Sequence, residues 1–256
     1  MQNKRIVSLV PSLTELLVDL GLQSHLVGVT RYCVHPSDMK LERVGGTKNP
    51  DLSKIIELKP DYLLVNREEN RKEDVETLAE ALPNCKIRIT EIDNFDDSLE
   101  AIALIGMDLK VSAKAHELIE DLRTCLQKLL KHIESFNTRP VKVLYLIWKN
   151  PWMSVGTDTY IHNMLYLLGL QSCVNHLRYP VIEDSQLLAM DWDVLLLSSE
   201  PYPFKESDCL ELIQKAQRPV ILVNGEHYSW YGTRLLRAYK QLKSEIVKIS
   251  KSVCNI

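Results

Sequence analysis

The chain has 256 residues, with 31 Lys and Arg against 34 Asp and Glu and a formal net charge of −3. Its basic residues are dispersed rather than gathered in a patch or stripe, which argues against nucleic-acid binding. No run approaches the roughly 18 consecutive apolar residues of a membrane span, so we expect no membrane insertion.

The first part of the chain alternates short β-branched runs with amphipathic segments, the pattern of a parallel α/β lobe. We expect this lobe to span residues 1–109. Ser12 and Glu15 have the spacing of a capping box at the start of the first helix, and Gly21 is expected to end that helix. The predicted strands are 5–10, 26–30, 62–66 and 86–90, and the predicted helices are 12–20, 51–58 and 73–82.

A long helical stretch follows this lobe. Residues 95–109 predict one helix, and Ser112 is expected to begin a second that runs to about Phe136. About 25 residues at about 1.5 Å per residue would span nearly 40 Å. We therefore predict that residues 110–137 form a single backbone helix that joins two lobes.

The second lobe, predicted for residues 138–256, repeats the order of the first. Leu-Gly-Leu-Gln-Ser occurs at 20–24 and again at 168–172, and the segment 59–65 resembles 190–197. Such duplication predicts an α/β fold of two Rossmann-like lobes with parallel sheets, and a ligand cleft where they face each other. The predicted strands are 141–148, 194–198 and 220–224, and the predicted helices are 159–168, 207–216 and one from about Thr233.

Ligands of parallel α/β lobes bind at the carboxyl ends of the strands. Six Tyr and Trp residues fall in the few loops predicted there, and flat apolar walls suit a large conjugated ligand. The alternative is that these rings fill the seam between the lobes. The candidate ligand-binding residues are Tyr32, His35, Glu68, Glu69 and Arg71 in the first lobe, and Trp148, Asn150, Trp152, Tyr228, Trp230 and Tyr231 in the second.

Metal coordination and catalysis are weaker interpretations. Cys33 and His35, joined by His227 and a glutamate, could supply metal ligands, but isolated Cys and His side chains more often pack or hydrogen-bond, and we predict no metal ligand. The sequence has no nucleophile elbow, phosphate loop or dinucleotide-binding fingerprint, so we do not expect an enzyme. Two alternatives stay open: an enzyme that uses cleft carboxylates and histidines for acid–base chemistry, and a ligand-free regulatory or interaction module.

The six cysteines are scattered singly, without a C-x-x-C pair, and are expected to be reduced thiols. Residues 1–5 carry no apolar leader-like segment before the first predicted strand. The sequence therefore predicts a cytoplasmic protein, or a periplasmic one if a leader was removed.

Residues 5–15 and 26–30, followed by 44–47 and 51–61, resemble the class III substrate-binding proteins of ABC importers. These helical-backbone metal receptors include binders of cobalamin, ferric siderophores and haem. The resemblance covers essentially the whole chain, and the Leu-Lys-Pro-Asp phrase at 58–61 is its most specific part. It implies reversible capture of a metal chelate (a corrinoid, haem or ferric siderophore) between two rigid lobes, without an intrinsic cofactor.

Single positions refine what the resemblance implies. Tyr32 falls where the cobalamin binder places a ligand-stacking aromatic residue. Thr47 and Asn66 fall where that protein carries tryptophans, which adds both positions to the candidate ligand site. Ser53 and Ser185 fall where it presents glutamates to its permease. The resemblance therefore predicts a family member that does not dock to a standard importer permease.

Overall fold

Two α/β units make up the part of the chain that the structure, a computed structural model, describes: residues 4–136 and 139–254. The first unit comprises the residues up to Ile92 together with 96–120 and 231–234. The second comprises 93–95, 121–230 and the residues from Leu235 onward. No helix among the described residues has the length and apolar character needed to cross a membrane.

The first unit is built on a five-stranded sheet in the order β3-β2-β1-β4-β5, in which every neighbouring pair is parallel. This confirms the predicted parallel α/β architecture. The elements from the start of the described chain to the helix shared by both units are β1 (Ile6–Ser8), α1 (Pro11–Asp19), β2 (Leu26–Val29), β3 (Glu42–Arg43), α2 (Leu52–Glu57), β4 (Tyr62–Asn66), α3 (Lys72–Ala81), β5 (Lys86–Thr90), α4 (Phe95–Asp108) and α5 (Ser112–Glu134).

The core of this unit lies against the central strands. Val7, Leu63 and Val65 are fully buried and pack with Ile55 of α2 and Leu78 of α3. Each such side chain contributes about 1.5–3 kcal/mol through burial. The strands, and with them the loops at their carboxyl ends, are therefore held on a rigid support.

The prediction of a capping box at Ser12 is wrong. Pro11 occupies the first turn and Val10 is the N-cap, without a side-chain cap. Proline is favoured in the first turn because its missing N–H would be unpaired there anyway, so the helix begins before Ser12. Glu15 instead lies buried and forms an ion pair with Arg234, with 3.1 Å between Arg234 Nε and Glu15 Oε2.

The second unit has a six-stranded sheet in the order β11-β10-β6-β7-β9, with β8 paired to β6. β6 is parallel to β8 and β10, whereas β7 is antiparallel to both β6 and β9. Its elements are β6 (Val141–Trp148), β7 (Trp152–Ser154), α6 (Tyr160–Leu167), β8 (Leu170–Ser172), β9 (Val181–Ile182), α7 (Asp184–Ala189), β10 (Val194–Ser198), α8 (Glu206–Ala216), β11 (Val220–Val223), α9 (Glu226–Ser229) and α10 (Arg234–Cys254).

The repeated pentapeptide marks the same turn in both units. Gly21 has φ +78° and Gly169 has φ +72°, and each follows a helix, α1 or α6. The strand after each glycine pairs in parallel with a strand that precedes the helix: β2 with β1, and β8 with β6, with β7 lying between β6 and α6 in sequence. Each copy therefore closes one β-α-β crossover.

The connecting segment contains α5, as expected from the apolar stripe. The division between the two units falls within this helix, between Glu120 and Asp121. The predicted boundary between the backbone helix and the second lobe, at residues 137 and 138, lies outside the described residues. The domain limits at 109 and 138 therefore stay a prediction.

Candidate functional site

In the first unit, three loops begin at carboxyl ends of the parallel strands: 30–41 after β2, 44–51 after β3 and 67–71 after β4. In the second unit the corresponding segments are 149–151 after β6, 199–205 after β10 and 224–230 after β11. Together we call them the strand-end loops. Such loops are where open α/β sheets place their ligands.

The loop after β2 presents an exposed aromatic ring. Tyr32 is 53% exposed, and the Arg31 guanidinium carbon lies 5.7 Å from its ring centroid. Arg43 stabilises the backbone of this loop, because its guanidinium donates hydrogen bonds to the carbonyls of Thr30 (3.0 Å) and Cys33 (2.9 Å). The ring is therefore available for stacking on a backbone that is fixed in place.

Cys33 is a core thiol. Its Sγ lies 3.1 Å from Thr14 Oγ1 and 3.2 Å from Thr30 Oγ1, and burial raises its pKa. Cys33 is fully buried, and this burial outweighs the threonine hydrogen bonds, which by themselves would lower its pKa. His35 lies half-buried two residues further along. Within residues 4–136 and 139–254, no group of three or more His, Cys, Asp or Glu side chains could hold a metal ion.

The loop after β3 turns tightly at Gly45. Its φ is +88°, and a Cβ there would lie 2.8 Å from both the Asn49 carbonyl and the Asp51 N–H nitrogen. Only glycine fits this turn. Thr47, at the loop's centre, is half-buried, and its carbonyl accepts a hydrogen bond from Asn70 Nδ2 at 3.0 Å.

Asn66, a predicted ligand residue, has its side chain hydrogen-bonded to the backbone of the loop after β4. Its side chain is almost fully buried; its Oδ1 accepts from the Glu68 N–H (2.8 Å) and the Glu69 N–H (3.2 Å), and its Nδ2 donates to Thr90 Oγ1 (3.1 Å). Glu68 and Glu69 are half-buried, whereas Arg71 is exposed. The side chain of Asn66 therefore orders the segment that carries these candidates.

Sequence reasoning missed Asn70, which is buried beside Asn66. Its Oδ1 accepts from the Asn66 N–H at 2.9 Å, and its Nδ2 donates to the Thr47 carbonyl at 3.0 Å and the Leu9 carbonyl at 3.4 Å. The available signal was a second asparagine four residues after the end of a strand. Asparagine side chains commonly bond to nearby backbone in such turns.

In the second unit, the last residue of β6 and the loop that follows it expose two candidates. Trp148 is 40% exposed, and its ring meets that of Tyr202 edge-on with centroids 5.6 Å apart. Asn150 is exposed. Lys149, between them, is turned away to an ion pair with Asp208 at 2.7 Å. The carboxyl end of β6 therefore presents an indole and an amide to solvent.

Three predicted wall residues lie in the packed interior. Trp152 is buried, and its Nε1 donates to Asp184 Oδ1 at 2.6 Å. Tyr228 is fully buried, and its hydroxyl donates to Glu245 Oε2 at 3.2 Å. Tyr231 is buried as well. None of these three rings is presented at the surface of a strand-end loop.

Trp230 is half-buried and is oriented by a carboxylate. Its Nε1 donates to Glu200 Oε1 at 2.9 Å, and Ser229 Oγ donates to the same oxygen at 2.7 Å. His227 is buried, with its Nδ1 3.4 Å from Glu245 Oε1. Trp230 is thus held between the loops after β10 and β11, and His227 is held within the fold.

These features suit the binding of a small molecule. In the first unit Tyr32 offers flat apolar surface and Arg71 a polar contact, and in the second unit Trp148 and Asn150 do the same; small-molecule sites are typically lined by such residues. The fold and these loops define the class: a ligand-binding protein built from two α/β units.

The chain belongs to the periplasmic binding protein family, whose model matches residues 6–219. It is 25% identical over 251 residues to the vitamin B12-binding protein of Pectobacterium carotovorum subsp. carotovorum (strain PC1), which covers 96% of this chain and 90% of that protein. The periplasmic haem-binding protein RhuT of Roseiflexus sp. RS-1, in its apo form, superposes with a TM-score of 0.84 at 18% identity, covering 98% of this chain and 99% of that one. This likeness shows the fold, and the family resemblance seen in the sequence is confirmed.

A further relative bears on location and partners. An ABC transporter substrate-binding lipoprotein of Bacillus subtilis (strain 168), YvrC, whose own function is uncharacterized, is 26% identical over 173 residues, 64% of this chain and 54% of that protein. The names of the relatives thus describe a lipoprotein and a periplasmic protein. The predicted cytoplasmic location finds no support among them.

Proposed function

We propose that this protein binds a metal chelate, either a corrinoid, haem or a ferric siderophore, through its strand-end loops, and that it is a carrier rather than an enzyme. The observation that carries the proposal is the exposure of the Tyr32 and Trp148 rings at the carboxyl ends of β2 and β6. Large aromatic rings exposed at a site of this kind favour a flat or conjugated ligand. The binding of vitamin B12 and haem by named relatives supports the ligand class.

The acid–base alternative is not favoured. It needs histidines and carboxylates that can reach a substrate, but His227 is buried against Glu245. Glu68 and Glu69 have their backbone fixed by Asn66, which suits a static recognition surface. The ligand-free module, in turn, does not account for two large rings left exposed at strand ends.

The transport partner follows from the relatives and not from the loops. The name of the Bacillus subtilis protein supports the proposal that this chain delivers its ligand to an ABC transporter. The contrary prediction, that this chain does not dock to a standard permease, rests on Ser53 and Ser185. Both serines are exposed, and Ser53 Oγ donates to Asp51 Oδ1 at 2.7 Å. That this chain does not dock to a standard permease therefore stays a prediction.

A thermal-shift panel tests the proposed function. The purified, reduced protein is heated with cyanocobalamin, cobinamide, hemin or ferric siderophores of several classes. We expect a saturable rise of several degrees with one of these classes, because a ligand that binds only the folded state stabilises it by mass action. The absence of a saturable shift with every compound would contradict the proposal.

A further inference from the structure

The side chain of Asn70 joins three segments at the carboxyl ends of strands in the first unit. Its Nδ2 donates to the carbonyls of Leu9, after β1, and Thr47, in the loop after β3. Its Oδ1 accepts from the N–H of Asn66 at the end of β4. Asn70 is only 6% exposed, so these bonds are made away from solvent.

The bonds require an amide. Asparagine carries one acceptor and two donor hydrogens on a short side chain, and Asn70 uses both kinds of group at once. An aspartate could accept from Asn66 but could not donate to Thr47 or Leu9. An alanine could do neither, and the carbonyls of half-buried Thr47 and buried Leu9 would each lose a partner.

The joined loops carry four of the candidate ligand residues. Thr47 lies in the loop after β3, and Glu68, Glu69 and Arg71 lie in the loop after β4. The first of these loops turns at Gly45, and a glycine leaves the backbone more conformational freedom than any other residue. A tether at Thr47 therefore removes freedom that a ligand would otherwise have to restrict on binding.

We propose that Asn70 is a positioning residue: its side-chain amide fixes the loops 44–51 and 67–71 relative to each other, and thereby sets the affinity for the ligand without touching it. This inference rests on the proposed function. Binding-site residues that are held in place by supporting hydrogen bonds lose less entropy when the ligand arrives. Removal of the tether should therefore weaken binding even though every contacting side chain remains.

The first test is hydrogen exchange of the ligand-free protein, for wild type, Asn70→Ala, Asn70→Asp and the control Asn84→Ala, which alters an exposed asparagine of the same unit. In Asn70→Ala we expect exchange about tenfold faster in both loops and at the Asn66 N–H, which loses its acceptor, with β1 and residues 62–65 unchanged. In Asn70→Asp the acceptor is retained, so we expect faster exchange at 44–51 alone. Unchanged exchange in both loops, or a uniform increase across the unit, would overturn the proposal.

The second test is the affinity for hemin and cobinamide, measured by fluorescence quenching well below each variant's melting temperature. We expect Asn70→Ala to bind about tenfold or more weakly and Asn84→Ala to bind like wild type. Equal affinity of Asn70→Ala and wild type would overturn the positioning role. If wild type binds neither probe, the proposed function fails for these ligand classes, and hydrogen exchange alone then decides whether Asn70 fixes the loops.

Discussion

Asp61 and Asp193 make the same pair of hydrogen bonds in the two units. Asp61 Oδ2 accepts from the Arg5 N–H at 2.7 Å, and the Asp61 N–H donates to the Arg5 carbonyl at 2.8 Å. Asp193 repeats this with Lys142, at 2.9 Å and 2.8 Å. Each aspartate thus joins a central strand to its neighbour at the amino end, opposite the strand-end loops. The similarity of 59–65 to 190–197 reflects this shared scaffold.

Asp193→Asn should lower the free energy of unfolding by about 1.5 kcal/mol at pH 7, since hydrogen bonds to a charged group are lost. Burial raises the pKa of Asp193, but hydrogen bonds from Arg139 and the Lys142 N–H outweigh it, so that its pKa lies below the usual range. The stabilisation is therefore full above the unfolded pKa of about 3.9 and is lost as the pH falls through the folded-state pKa.

Urea unfolding of wild type and Asp193→Asn between pH 7 and pH 3 measures this effect. The difference between the two should shrink as the pH falls below about 4. Asp191→Asn is the control, because Asp191 pairs with Lys142 on the surface and such pairs contribute little. A difference that stays constant down to pH 3 would contradict the assignment.

The buried ion pair of Glu15 and Arg234 should respond differently to single and double substitution. Glu15→Gln or Arg234→Met alone should cost about 3–5 kcal/mol, because each removes one charge of a buried ion pair and leaves the other charge buried. The double variant Glu15→Leu with Arg234→Met should cost less than either single change. Chemical denaturation of the three variants tests this, and a single substitution that costs less than about 1 kcal/mol would be inconsistent with it.

Substitution of Trp152 should destabilise the protein far more than substitution of Trp148. Trp152→Ala should lower the free energy of unfolding by about 3–5 kcal/mol, because it removes a buried ring. Trp148→Ala, at an exposed position, should change it by less than about 1 kcal/mol. Urea denaturation followed by circular dichroism distinguishes the two, and equal destabilisation would place Trp148 in the core as well.

The substitution Arg71→Ala should weaken the binding of anionic ligands only. Hemin carries two carboxylates, so Arg71→Ala should weaken its binding several-fold at low salt, with the difference fading in about 1 M salt, where charges are screened within about 3 Å. Dicyanocobinamide, which lacks carboxylates, should bind both proteins alike. Lys72→Ala is the matched control, since Lys72 is an exposed neighbouring cation. Equal effects of the two substitutions on hemin binding would remove the specific role of Arg71.

Periodicity predicted the regular elements well. The strands at 62–66, 86–90, 141–148 and 194–198 have the expected bounds. β3, β7, β8 and β9 were missed because runs of two or three residues are too short to show alternation. α1 begins at Pro11 and not at a serine cap, which changes the role of Glu15.

The candidate site was predicted less completely, for a physical reason. Position at a strand end does not tell which way a side chain points, and Trp152 and Tyr228 point inward. Asn66 ends a strand and Asn70 follows it, so both resemble ligand contacts. Asn66 instead bonds to the nearby Glu68 and Glu69 N–H groups, and Asn70 bonds to the carbonyls of Thr47 and Leu9, which are distant in sequence. Only tertiary structure brings those partners together.

Direct titration of one double variant tests the central claim. Wild type, the variant Tyr32→Ala with Trp148→Ala, and the control Tyr166→Ala are titrated with hemin, cobinamide and ferric siderophores. Tyr166 is 75% exposed on α6, away from the strand-end loops. We predict saturable binding of one class by wild type and the control, and at least about tenfold weaker binding by the double variant, a loss of about 1.4 kcal/mol. Equal affinity in all three proteins, or no binding by wild type, would contradict the account.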